Sequence, residues 1–341
     1  MKEKTSLAAW NVKEKHFPKN GKMESKLKFL VRYAILAASG LNSQPWIFKI
    51  KDNTIEIWAD NTRQRPQIDP EDRELYISLG CAMANLEIAA RYFGMMFEKE
   101  YGEEDGNLAA KFKFAEGKTV SEKKEYFKAI TKRRVNREDY NGKSIPKEII
   151  EKLEEEHKEY GEARLKLLTQ KEIKNELAKL VEKSSQIWFK SNDLVDELEY
   201  WLQDDLSLNK DGLSTGVLNL YKLAIEVKHL LSRSDKSIIS KSQRDRDLVE
   251  TAQAIAIIWV EKENKKNWLM AGELYERLAL YLTNFEIQNA FFNTVIELKN
   301  QRIKMEKLLG IKGKSQLLLR FGYSDKKVAH SSRRPLEEVL R

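Results

Sequence analysis

Two long apolar segments, residues 75–93 and 267–285, align with each other, Gly80 falling on Gly272, Leu86 on Leu278 and Phe93 on Phe285. Self-similarity at a fixed offset marks a repeated structural unit and limits the folds open to a chain. A weaker alignment sets "ILAASGLNSQPWIFKI" (35–50) against "KLEEEHKEYGEARLKL" (152–167), with Leu36 on Leu153, Phe48 on Leu165 and Ile50 on Leu167. The offsets, 192 and 117, differ by 75, so a second copy of the unit would carry that many extra residues, within 185–250. The first apolar segment, "RELYISLGCAMANLEIAARYF", is rich in small residues, which let a helix approach its neighbour closely.

Around these segments the periodicity alternates between helix and strand. Leu27, Leu30, Val31, Ala34, Ile35 and Ala38 have helical spacing; "IFKIK" and "TIEIWAD" read as strands about a tight turn at "DN". Residues 100–118 hold a weak strand and turns, and helices are expected at 121–131, 146–158 and 170–187. "TAQAIAIIWVEKEN" is the strongest buried-strand pattern, and "SQLLLRFGYS" reads as the last strand. The expected class is α+β: a mixed sheet flanked by helices, built from two fused halves that form an internal pseudo-dimer. An N-terminal extension at 1–22, a first half at 23–120 and a second half at 121–341 follow, intertwined as one globular unit, with a lid-like insertion at about 188–250.

Composition narrows the chemistry. The 341 residues include 61 basic and 53 acidic side chains, a net charge of +8, interleaved rather than gathered in a stripe. That pattern fits solvated helix faces and argues against nucleic acid as a partner. No apolar run approaches a membrane span. One cysteine, Cys81, and the absence of a signal-like N-terminus point to the cytoplasm. Four scattered histidines make a metal site improbable, and no Ser/His/Asp set stands out. Cys81 reads as inert core. "GIKGKSQ" (310–316) fails the spacing of a phosphate-binding P-loop.

Three stretches could carry chemistry. "SGLNSQPW" (39–46) offers a hydroxyl, backbone N–H groups and amides from Ser39, Gly40, Asn42 and Gln44, suited to the edge of a flat heterocycle. Arg133, Arg134 and Arg137, with Asn136, form a compact cationic loop, and guanidinium forks match phosphate oxygens. The tail "SSRRPLEEV" adds Arg333 and Arg334. Taken singly, each could be ordinary loop or tail.

Together, "AASGLNSQPWIF", "RRVNREDY" and "LLLRFGYS…SSRRPLEEVL" resemble the helix–loop–strand signature, the arginine-rich phosphate motif and the last strand and tail of the FMN-dependent nitroreductase superfamily. The order of the motifs is similar to that of the tandem-fused Acg-like nitroreductases, over about residues 23–341. The resemblance implies one composite FMN site per chain, with the loop from the first half and the arginines and tail from the second. It implies Arg133 and Arg137 on the FMN phosphate, Asn136 on the phosphate or ribityl chain, and Arg333 with Arg334 completing the clamp. Ser39, Gly40 and Asn42 would approach the ring, and Gln44 would brace the loop. Val135 and Ser331 depart from the family's usual hydroxyl residue and lysine, and "EIQNAFF" replaces its usual segment beside the ring. The implied activity passes electrons from NAD(P)H through FMN to a small-molecule acceptor such as a nitroaromatic or quinone, with no catalytic side chain. The alternative is an FMN-sequestering protein with a lid, and a third reading is an interaction protein that has lost FMN. Internal pseudo-symmetry makes a monomer or weak homodimer the expected state.

Overall fold

The computed structural model describes residues 5–117, 124–203, 210–214 and 234–341. Parts of the expected insertion and the expected boundary between halves at 120/121 lie outside the described residues. The first part runs α1 (Met23–Ala34), β1 (Trp46–Lys51), β2 (Thr54–Ala59), α2 (Arg73–Tyr92), β3 (Met95–Tyr101) and β4 (Leu108–Glu116). After α3 (Lys124–Ile130), the second runs α4 (Lys147–His157), β5 (Glu159–Tyr160), β6 (Ala163–Leu168), α5 (Lys171–Lys190), α6 (Asn192–Tyr200), β7 (Leu202–Gln203), β8 (Leu213–Ser214), α7 (Asp235–Glu250) and β9 (Ala254–Val260). It ends with α8 (Lys265–Asn284), β10 (Gln288–Phe291), α9 (Thr294–Glu297), α10 (Lys299–Leu309), β11 (Lys314–Gly322) and α11 (Leu336–Val339).

The two main sheets share one connectivity. The first has strand order β1-β2-β4-β3, and the second contains β6-β9-β11-β10, with β5 added at one edge. Every neighbouring pair within each is antiparallel. α2 and α8 occupy equivalent places, 192 residues apart at both ends, and β1 and β6 are 117 apart at both ends. Where the first half turns from β1 to β2 through Asp52 and Asn53, the second inserts α5, α6, β7, β8 and α7 between β6 and β9.

Every residue of α2 from Arg73 to Ala90 is buried. A helix enclosed on all sides must be apolar or internally paired, and its charged residues are ion-paired: Arg73 with Glu74, and Glu87 with Lys99 and Arg277. α2 and α8 touch backbone to backbone. A Cβ on Gly80 would collide with the Leu269 carbonyl, and one on Gly272 with the Ile77 carbonyl. The main apolar core runs through both halves, from Leu30, Ile57 and Phe112 to Ile258, Leu278 and Leu319, and smaller clusters gather around Val181 and Met305 and around Trp188 and Ile238. The tail then crosses back: Leu340 bridges Phe48 of β1 in parallel, and Arg341 N–H donates to the Phe48 carbonyl. No described helix is long and apolar enough to cross a membrane.

Candidate functional site

A cavity of about 360 Å³ lies between the halves. Its wall takes Ser39, Gly40 and Asn42 from the loop after α1, Ser78 and Cys81 from α2, Arg133, Arg134 and Arg137 from the segment after α3, and Arg333 from the tail. Residues from the loop after α1 to the tail, nearly three hundred positions apart in sequence, are thus gathered on one concavity of the size that holds small ligands. Asn136, Gln44 and Arg334 stand behind this wall. The Asn136 amide donates to the Lys326 carbonyl (3.0 Å) and accepts from Glu138 N–H (3.0 Å). Gln44 accepts from Arg334 N–H (2.8 Å) and donates to the Lys210 carbonyl (2.8 Å).

The loop of residues 39–44 is held in a costly conformation. Leu41 (φ 49°), Asn42 (φ 56°) and Gln44 (φ 51°) all sit in the left-handed region, which side chains other than glycine seldom occupy. Such strain persists only where surrounding contacts over-determine it. Here Ser39 Oγ accepts from Gln44 N–H (3.1 Å), Gly40 N–H donates to Ser78 Oγ (3.2 Å), and Asn42 Nδ2 donates to the Gly212 (2.9 Å) and Ser332 (3.2 Å) carbonyls. Gly40 leaves room for Arg65: a Cβ there would lie 2.5 Å from Arg65 Nη2.

The arginines differ in how their charge is met. Arg133 Nε lies 2.9 Å from Glu276 Oε1, a charge contact rather than an aligned hydrogen bond, and Nη2 donates to the Leu36 carbonyl (3.1 Å). Burial pulls the Arg133 guanidinium down, but Glu276 outweighs it and its pKa ends raised. Arg333 donates to Asn42 Oδ1 (2.8 Å) and to the Ala37 (3.0 Å) and Ser332 (2.9 Å) carbonyls, and its guanidinium lies over the Trp10 ring at 4.8 Å. Burial and then the neighbouring Arg133 charge push Arg333 down to about 9. Arg334 reaches the Gln44 carbonyl (3.1 Å) and Asp60 (3.4 Å). Arg134 donates to the Val328 carbonyl (2.8 Å) and to His330, which stacks on Trp10 at 3.9 Å. Burial, then Arg134, hold His330 down at about 3, so it is neutral.

Among the charged residues that line the cavity, Arg320 and Glu297 escaped sequence reasoning. Arg320, toward the end of β11, is 1% exposed, and its guanidinium sits 3.9 Å over the Tyr140 ring. Glu297, at the end of α9, accepts from Trp188 Nε1 (2.5 Å). Burial and then the Glu74 carboxylate push Glu297 up to about 8 against the pull of Arg65 and Arg73, so at neutral pH it carries its proton. Glu74 itself is ion-paired with Arg65 (2.9 Å) and Arg73 (3.0 Å). Arg320 was hidden in an apolar strand pattern. Glu297 gave no local signal, because its perturbation comes from α2 and α5.

The chain between β6 and β9 also reaches the cavity. Trp188, Phe189, Leu213, Lys241 and Leu248 line it. Residues 210–213 are fastened to the loop and tail: Gly212 N–H donates to the Asn42 carbonyl (3.2 Å), Arg63 pairs with Asp211 (2.6 Å), and Lys210 pairs with Glu338. Cys81 is buried on the cavity wall, with Sγ donating to the Gly272 carbonyl (3.4 Å).

No family model matches the chain, and no curated protein matches it. Solved structures do. The FMN-dependent nitroreductase NfnB from Mycobacterium smegmatis, in complex with NADPH, is similar at 16% identity over 64% of this chain and 97% of its own, with a TM-score of 0.42. An iodotyrosine deiodinase bound to FMN and 3-iodo-L-tyrosine is similar at 12% identity over 62% and 95%, TM-score 0.39. The NADPH:FMN oxidoreductase of Vibrio harveyi, complexed with NAD+, is similar at 10% identity over 62% and 72%, TM-score 0.36.

Proposed function

We propose that the chain is an FMN-binding oxidoreductase of the nitroreductase kind, built from two copies of one unit and carrying one composite site. The observation that supports this most is the meeting, on one cavity wall, of Ser39, Gly40 and Asn42 from the first half with the arginine segment and Arg333 from the second. The residues present suit a flavin nucleotide. The wall is apolar along β10 and at Ile77 and Cys81 of α2, polar at the loop and cationic at the arginines, which matches a flat heterocycle bearing a phosphate. In this reading the loop backbone faces the ring edge, Asn42, Gln44 and Arg334 hold the loop in shape, and the arginine side receives the phosphate. The flavin, when bound, supplies the two-electron chemistry, taking reducing equivalents from NAD(P)H and giving them to an electron-poor acceptor such as a nitroaromatic or quinone. The protein's own work is to bind, orient and exclude water.

The alternative, an FMN-sequestering protein, rests on the lining by Trp188, Phe189 and Leu213 and on the latch of residues 210–213. A latched cover would shut a nicotinamide out. The test is to titrate purified, FMN-loaded protein with NAD(P)H under anaerobic conditions. Bleaching of the flavin band at a rate that rises with an acceptor supports the oxidoreductase. A yellow protein that stays oxidised supports sequestration, and Asp211→Ala should then speed bleaching by releasing the latch. A protein that takes up no FMN overturns both.

A further inference from the structure

One end of the cavity is apolar and is made by both halves. Leu41 and Ile68 of the first half pack there with Trp188 of α5 and Leu198 of α6, and all four line the cavity. The first half has no counterpart of α5 and α6. Glu297 of α9 lines the cavity beside Trp188, whose Nε1 donates to Glu297 Oε2 (2.5 Å). The other oxygen, Oε1, has no hydrogen-bond partner among the described residues and keeps accessible surface.

The charges around this carboxyl decide its form. Two guanidinium groups act on it, Arg65 from the loop after β2 and Arg73 of α2, and both are already met. Glu74 pairs with Arg65 (2.9 Å) and Arg73 (3.0 Å), and Asp69 lies 3.7 Å from Arg65. On α6, Glu197 accepts from the Gln67 (3.1 Å) and Ile68 (2.7 Å) N–H groups. On α7, Lys241 pairs with Asp245, and Arg244 with Asp139 (3.5 Å). As a third carboxylate, Glu297 would have no cation of its own among the described residues, and a bare carboxylate is costly to take from water. A carboxyl that keeps its proton has what a carboxylate lacks, an O–H to donate.

We propose that Glu297 donates a hydrogen bond to an oxygen of the molecule that occupies this end, and so selects a neutral, flat ring bearing a carbonyl. The apolar walls take the ring. The Trp188 N–H holds the carboxyl by one oxygen and leaves the other for the ligand. A carbonyl oxygen accepts a hydrogen bond more strongly than a nitro oxygen, so this corner favours a quinone over a nitroaromatic. A cationic ligand would do the opposite and draw the proton off Glu297. Naming the ring as an electron acceptor rests on the function proposed above; the donor itself rests on the geometry and the charges. The selecting residue thus lies on a short helix outside the loop, the arginine segment and the tail.

The test is calorimetric titration with duroquinone of the oxidised, FMN-loaded full chain and of the same chain without flavin. This quinone has no titratable group and no open ring position for a nucleophile. Affinity should be level below about pH 7 and fall by about fivefold or more by about pH 9.5, as Glu297 loses its proton. At about pH 8, where Glu297 is half ionised, titrations in two buffers of different ionisation enthalpy should show proton uptake on binding. Glu297→Gln can still accept from Trp188 and donate to the ligand. It should bind within about threefold of wild type at neutral pH, with neither pH dependence nor proton uptake. Glu297→Leu should weaken binding by about fivefold to thirtyfold, the range for losing one hydrogen bond. If the Leu variant fails to fold, the lost proton uptake in Glu297→Gln carries the test. Affinity that is flat with pH, proton release on binding, or linkage that survives in Glu297→Gln overturns the donor. So does a chain that binds no duroquinone, and FMN uptake by that chain leaves the flavin reading intact. Duroquinone binding linked to Glu297, in a chain that takes up no FMN, keeps the donor and overturns the flavin reading.

Discussion

Gly40 is the residue on which the loop's shape turns. Its missing Cβ makes room for Arg65, which is buried and ion-paired with Glu74, so the guanidinium has nowhere cheap to move. Gly40→Ala should therefore cost about 1–3 kcal/mol, the usual range for overpacking a tight site, read as a drop in the urea midpoint at unchanged slope. A variant as stable as wild type would mean that Arg65 repositions freely. Glu297 makes a different, pH-dependent claim. Its carboxyl holds a proton up to about 8 in the folded chain, whereas the ordinary value is 4.5. Between those values the folded state binds the extra proton, so stability falls as pH rises through the window and is level above it. Glu297→Gln removes the titration and keeps an oxygen for Trp188. The variant's melting temperature should gain on wild type from about pH 5 to about pH 8 and run parallel beyond. A difference that is flat across that range would show that Glu297 titrates normally.

At the scale of the element, the α2–α8 pair carries the structure. Both helices are enclosed, and Gly80 and Gly272 let their backbones touch. A methyl group at either position meets a carbonyl of the other helix, a backbone atom that cannot swing aside. Gly272→Ala should destabilise by about 1–3 kcal/mol or more and should loosen the cavity, whose wall includes Ile77 and Cys81 of α2 and Tyr275 of α8. Calorimetry would show it as a lower melting temperature, and an unshifted melt would refute the close crossing. Much of this pair was legible in the sequence, because the Gly80–Gly272 alignment and the small-residue composition both report on it. The strands β1, β9 and β11 were legible from alternation or continuous apolar runs. β10 was not, since "QNAF" is short and holds two polar amides whose burial depends on distant partners, Asn289 accepting from Asn136 N–H and from the Tyr275 hydroxyl. The same limit applies to the site. Sequence shows that Arg133, Arg333 and Arg334 are present, but only packing shows that Glu276, Asp60 and backbone carbonyls meet their charge.

For the whole molecule, the shared connectivity of the two sheets implies a second position equivalent to the cavity, and its contents differ. The offset that sets Gly80 on Gly272 sets Cys81, on the cavity wall, on Glu273, and the offset of the weaker alignment sets Asn42 and Ser43 on Glu159 and Tyr160. Glu273 is at the centre of a closed network. Lys99 Nζ lies 2.6 Å from Glu273 and 2.7 Å from Glu87, and Arg277 pairs with Glu87 at 2.6 Å. The hydroxyls of Tyr101 (2.7 Å) and Tyr160 (3.2 Å) donate to Glu273. Two cations face two carboxylates, so the cluster has no unbalanced charge to offer an anion, and the tyrosine rings fill the space between, with Lys99 and Arg277 lying over Tyr160. Breaking such a pair leaves an uncompensated buried charge and costs about 3–5 kcal/mol, which makes the cluster a structural plug rather than a site waiting for a ligand. The expected consequence is a stoichiometry of one flavin per chain, with a single affinity. Isothermal titration of FMN into the full chain measures it directly. Two equivalents bound would mean that the network opens, and Lys99→Met should then change the second affinity while leaving the first unchanged. A single equivalent, weakened in Arg137→Gln but insensitive to Lys99→Met, would place the binding at the cavity lined by the arginine segment.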